Sequence, residues 1–179
     1  MAVKIKSVGG VGLQNALKQL QQKVGEGAHV RVGFLEGSAE GDIPTAQIAA
    51  WNEFGTKTAP PRPFMRNTVA HNKDGWGKLL EASLKATGYQ TNAALAMAGE
   101  KMVGQMQKEI TATGEPANAP LTNLLKDRFP MGGYTTEDFL QAIKDLKKGA
   151  TAPAGKPLVW SGNMLDSVAS EVKGGPDES

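Results

Sequence analysis

The chain has no cysteine among its 179 residues, which excludes disulfides and thiolate metal sites outright. Histidine is almost as scarce. The two present, His29 and His71, stand far apart and lack a carboxylate at ligand spacing, so no metal cluster or acid–base pair can be read from them. No apolar run approaches the ~20 residues of a membrane span. The opening Met1 to Lys6 leads into no apolar core of signal-peptide length, so a soluble chain without an export signal is expected. A charged fraction of 21% and a net charge of +2 leave no excess of one sign. Lysine and arginine are scattered among carboxylates, without the basic stripe of a dedicated DNA binder.

Glycine and proline are plentiful, at 22 and 10 residues, and they cut the chain into short elements. The hydrophobic fraction of 40% is that of a folded soluble protein. The reading is one α+β domain over 1–172 with a flexible tail, 173–179. A strand at Val3–Val8 leads to a helix striped by Leu13, Leu17, Leu20 and Val24. His29–Phe34 alternates as a half-buried strand, and Gly37–Asp42 forms a loop or hairpin tip. Pro44 suits the first turn of a helix that stops at Gly55 in a left-handed cap. Helical pattern resumes at Phe64, breaks near Asn72–Gly77, and breaks again at Gly88. A clear helix follows, with Leu95, Ala98, Met102, Met106 and Ile110 on one face. Gly99 and Gly104 on that helix mark a packing face, either between subunits or within the chain.

Residues 113–155 read as an inserted excursion of loops around one short helix. Thr135 or Thr136 caps that helix, Glu137 and Asp138 fill its first turn, and Phe139, Ile143 and Leu146 form its stripe. Leu121, Leu125, Phe129, Tyr134 and Phe139 are the excursion's candidate partner contacts. Leu158 and Trp160 then predict a strand, Ser161–Ser167 a turn, and Val168–Val172 a second strand. The expected architecture is a small, mostly antiparallel sheet packed by an N-terminal helix and longer central helices.

No catalytic, cofactor or metal site emerges. Gly9-Gly10-Val11-Gly12 lacks both the Gly-Lys-Ser/Thr ending and the dinucleotide fingerprint. Ser161, Ser167 and Ser170 have no Gly-x-Ser-x-Gly context. Lys57, Arg62 and Arg66 form a small basic group, a candidate for phosphate or intersubunit contact. The most ordered stretch is Ile48–Phe64, where an aromatic helix end, a glycine stop and a stiff proline run meet. It reads as an elbow of Trp51, Phe54, Gly55, Pro63 and Phe64, with Trp51 and Phe54 packed on the core.

Two segments of the chain share a known pattern. Val32-Gly33-Phe34, Ile48 to Thr56 and Pro61-Arg62-Pro63-Phe64 resemble the front half of the tailed-bacteriophage tail-completion family, also called head–tail joining or neck proteins. Lys156-Pro157-Leu158 with Ser161-Gly162, Leu165 and Ser167 resembles that family's closing motif. Trp160 stands where the family more often has a polar residue, and Ser161 where it has threonine. The 121–155 stretch is longer than in common members. The resemblance implies a non-enzymatic virion protein at the head–tail interface, made in the bacterial host cytoplasm. It implies a hexameric ring of identical subunits, through which DNA passes without sequence recognition. Its partners would be a head-side connector or adaptor and a tail terminator or tail tube protein, with no membrane and no cofactor. A tail terminator ring and a nucleic-acid-binding protein are the alternatives.

Overall fold

Alternation over His29–Phe34 becomes strand β1, and Val168–Lys173 becomes its antiparallel partner, here numbered β4. The computed structural model describes residues 27–174, together with Asn15 and Lys18. The strand expected at Val3–Val8, the N-terminal helical stripe and the last five residues of the tail lie outside the described residues. Between the paired strands come β2 (Ala39–Glu40), β3 (Ile43–Pro44), α1 (Thr45–Phe54), α2 (Phe64–Ala86) and α3 (Thr91–Ala112). Then follow α4 (Pro120–Arg128), α5 (Thr136–Lys147) and the single turn α6 (Asn163–Asp166). The result is an α+β fold with, among the described residues, two small antiparallel sheets, β1–β4 and the β2–β3 hairpin.

Register places Val30, Val32 and Phe34 opposite Val172, Ser170 and Val168, so these side chains share one face of the pleat. Helix α3 lies on that face. A Cβ added at Gly99 would stand 2.8 Å from Val30 Cγ2 and 2.9 Å from Ser170 Cβ. The glycine therefore answers to packing within the chain. Gly104, with nothing within 4 Å among the described residues, does not. Gly99→Ala is expected to lose ~1–3 kcal/mol by overpacking, while Gly104→Ala gains ~1 kcal/mol from helix propensity. Thermal denaturation of the two variants checks the contrast.

Helices α2 and α3 form a long antiparallel pair. The break expected at Asn72–Gly77 is absent, because α2 runs unbroken through Gly75 and Gly77. Each glycine costs ~1 kcal/mol, and packing against α3 outweighs that. Trp76 Nε1 between the glycines donates to Gln105 Oε1 of α3 at 2.9 Å. The main core gathers Ala49, Phe64, Val103, Ile110, Leu158 and Met164 beneath the sheet. Phe64 and Phe34 meet edge to face at 6.0 Å.

The excursion holds two helices where one was expected. The apolar patch at Leu121–Leu125 lies within α4, which starts on Pro120 and packs against α5. Their shared core is Leu124, Leu125 and Ala142, flanked by Leu121, Phe129, Phe139, Leu146 and Trp160. Thr135 caps α5 in a reciprocal capping box with Asp138. Those bonds from the Thr135 backbone and hydroxyl hold the Asp138 carboxyl below its ordinary pKa. No strand forms at Leu158–Trp160. Pro157 has no N–H for a ladder, and Lys126 takes the carbonyls of Lys156, Pro157 and Val159.

Candidate functional site

The elbow between α1 and α2 is built by backbone and by one buried carboxylate. Gly55 follows α1 with φ 78° and ψ 176°, a glycine conformation but not the left-handed cap expected. A Cβ there would lie 2.8 Å from Pro61 N and 2.9 Å from Ala59 O, so the Thr56–Pro61 loop folds directly onto it. Within that loop the Thr56 hydroxyl accepts from the N–H groups of Thr58 and Ala59. The chain then returns to α1 through Arg62 N–H, which donates to Asn52 O at 2.7 Å.

Glu53 closes the angle. Its side chain is buried, and its carboxylate accepts from Met65 N–H at 2.8 Å and from Arg66 N–H at 3.2 Å. These are orphan donors in the first turn of α2, whose N-cap residue, Pro63, offers no side-chain bond. Arg66 Nε adds a charge-assisted bond to Glu53 at 2.8 Å, and its Nη2 reaches the Glu53 carbonyl at 2.9 Å. The end of one helix thus caps the start of the next, with negative charge at the positive end of the dipole.

Trp51 and Phe54 do not pack on the core. They are 42% and 70% exposed, and the buried ring of the elbow is Phe64. Helical spacing explains the exchange: Thr45, Ala49 and Glu53 occupy the inward face of α1, which turns Trp51 and Phe54 outward. With Ala46, Gln47 and Ala50 they make an exposed face that carries no charge. The Arg66 guanidinium lies over the Phe54 ring, 5.4 Å from its centroid.

The closing motif lands against this elbow. Leu158 is buried in the main core. Gly162 adopts the left-handed conformation at φ 91° and opens α6. The Leu165 carbonyl accepts from Gln107 Nε2 of α3 at 3.3 Å, and Ser167 ends the turn by donating its N–H to Asn163 O at 3.0 Å. Asn163 Nδ2 reaches Thr45 Oγ1 of α1 at 3.5 Å. The two motif segments, distant in sequence, are therefore neighbours in space.

The other predicted site residues divide. Leu121, Leu125, Phe129 and Phe139 belong to the small core of the excursion and are not exposed for a partner. Leu125 is buried and the other three are half-buried, because the excursion has too few helices to spare them. Tyr134 is 39% exposed and stacks on Trp160 at 5.6 Å. Of the basic group only Lys57 is exposed and without an ion pair among the described residues. Arg66 is engaged by Glu53. Arg62 is buried, donating from Nε to Pro116 O at 2.8 Å and from Nη2 to Ala117 O at 3.3 Å.

Glu53, Lys126 and the outward face of α1 carry no signal in the sequence patterns. Lys126 Nζ donates to three backbone carbonyls and lies 5.7 Å from the Trp160 ring centroid. Burial, and then the Arg62 charge, push its pKa down to about 8. The unfolded amine titrates near ~10.4, so between those pH values the unfolded state binds more protons. Stability relative to Lys126→Met is therefore expected to rise as pH climbs from 8 towards 10 and to be flat below 8. Paired thermal melts across that range check the sign.

Arg62 and Lys126 line one groove of about 510 Å³, walled by Ile48, Leu158, Trp160 and Met164. Among the described residues, no group of three or more metal-ligating side chains could hold an ion. No helix there is long and apolar enough to cross a membrane. Comparison with protein-family models, curated proteins and solved structures returned no match.

Proposed function

We propose that the chain is a structural subunit of the phage neck, closing into a ring that joins the tail to the head-side connector and lets DNA pass. The observation that carries this reading is the uncharged outer face of α1. An exposed tryptophan and phenylalanine on one charge-free helix face form the kind of apolar patch that serves protein contact. That patch sits in the segment, Ile48–Thr56, whose motif resembles the tail-completion family. The elbow residues thus divide their work. Glu53, Gly55 and Phe64 hold the angle, while Trp51 and Phe54 meet a neighbour.

The role assigned here is contact and shape, without catalysis. Of the three cations behind the nucleic-acid alternative, Arg62 is buried and Arg66 is paired with Glu53, which leaves Lys57 alone exposed and unpaired among the described residues. Passage of DNA through a ring requires no base contact. Loss of the chain is expected to leave DNA-filled heads and finished tails unjoined, as counted by electron microscopy of lysates. Normal yields of joined, infectious particles without it would end the reading. Trp51→Ser together with Phe54→Ser is expected to reproduce the loss with a subunit that still folds.

A further inference from the structure

We propose that the Arg62–Lys126 groove is a receptor for a carboxylate carried on an extended peptide of an assembly partner. Such a receptor needs no ring and works whether or not the chain closes on itself. Arg62 is only 8% exposed, and Lys126 is partly buried beside it. Among the described residues neither forms an ion pair, and every acceptor they reach there is a neutral backbone carbonyl. Proteins seldom bury a cation without an anion, because desolvation then goes uncompensated. Here two such cations face one cavity and oppose each other.

The rest of the groove adds positive potential. Helix α4 begins beside it, with Ala119 as an N-cap that offers no side-chain bond and no acidic residue in the first turn. Glu40 is the one acidic residue lining the groove among the described residues. It is exposed and pairs with neither cation. A bound carboxylate would supply the missing charge and hold Lys126 protonated.

Shape selects the carrier. The cations are recessed, so the phosphates of a rigid duplex, which need projecting side chains, would not reach them. A carboxylate on a flexible side chain can enter. The walls of Ile48, Leu158, Trp160 and Met164 then take the apolar residues beside it. The ligand class is an acidic peptide with apolar neighbours.

The test titrates the full chain at pH 7 and low salt, followed by NMR shifts. The probe is the acetylated, amidated tetrapeptide Leu-Asp-Glu-Leu, with Leu-Asn-Gln-Leu as its neutral counterpart. The acidic peptide is expected to bind and the neutral one to bind at least roughly thirtyfold more weakly, as expected for a buried charge pair that loses one member. Lys126→Met should weaken the acidic peptide similarly and Lys126→Arg should not. Affinity should fall as pH rises above 8. Lys126 also ties α4 to residues 156–159, so a second variant guards against misfolding. Thr122→Glu places a carboxylate on the groove wall in the first turn of α4, and should raise the melting temperature while blocking the peptide. Equal binding of both peptides, no binding at millimolar concentration, or an unaffected Lys126→Met would overturn the proposal. So would tighter binding of a short DNA duplex or of inorganic phosphate at the same residues.

Discussion

Phe64→Ala is expected to destabilise the fold by ~3–5 kcal/mol, the cost of removing a fully buried aromatic ring. The ring has no exposed surface. It stands at the first position of α2 and meets Phe34 of β1 edge to face, so the cavity left behind would separate the sheet from the elbow. Phe54→Ala provides the contrast. Its ring is 70% exposed, and its main loss is the contact with Arg66, worth ~0.5–1 kcal/mol at an exposed site. Denaturant unfolding of both variants reads the difference. Equal losses would mean that Phe54 is a core residue and that the outer face of α1 is not a surface.

The second large effect is expected at Glu53. Glu53→Ala should cost ~2–4 kcal/mol, combining a lost helix cap with two orphaned N–H groups in a buried turn. Glu53→Gln should recover less than half of that, since an amide can accept one of the bonds but brings no charge to the helix N-terminus. Arg66→Ala should cost under ~1 kcal/mol, because the Arg66 side chain is 61% exposed and the carboxylate keeps both backbone donors. A larger loss at Arg66 than at Glu53 would show that the ion pair, and not the cap, fixes the angle.

The parts of this fold legible in the sequence were those with local rules. Alternation marked β1 and β4, apolar spacing marked α3, and Thr135 with Asp138 marked the start of α5. Gly55 announced the stop of α1, although the loop folded on it decided its conformation. The misses share one cause, which is that contacts distant in sequence override local preference. Gly75 and Gly77 read as a break, yet α2 survives them against α3. Trp51 and Phe54 read as core because aromatics usually are. Only the three-dimensional path shows that the inward turn is taken by Thr45, Ala49 and Glu53. A buried glutamate eleven residues ahead of a helix start is invisible to capping rules, which look within the helix's own first turn.

The candidate site was legible in outline. The segments Ile48–Phe64 and Leu158–Ser167 do come together, and Asn163 bonds α1 directly. The division of roles within them was not legible, because it depends on which side chains face outward. Arg62 illustrates the point. In sequence it is one of three cations on a proline-rich loop, and in space it is a buried donor at the head of a groove. Lys126 had no signal at all, since its three acceptors are carbonyls of a segment that enters the chain much later.

Reconstruction of the neck of tailed-phage particles whose genome encodes this chain is the sharpest test of the proposed ring. A closed ring of copies of the described fold is expected between the head-side connector and the tail, with the Trp51 and Phe54 face of each copy buried against a neighbour. A neck that lacks the chain, or one that holds it with that face open to solvent, would contradict the proposed ring.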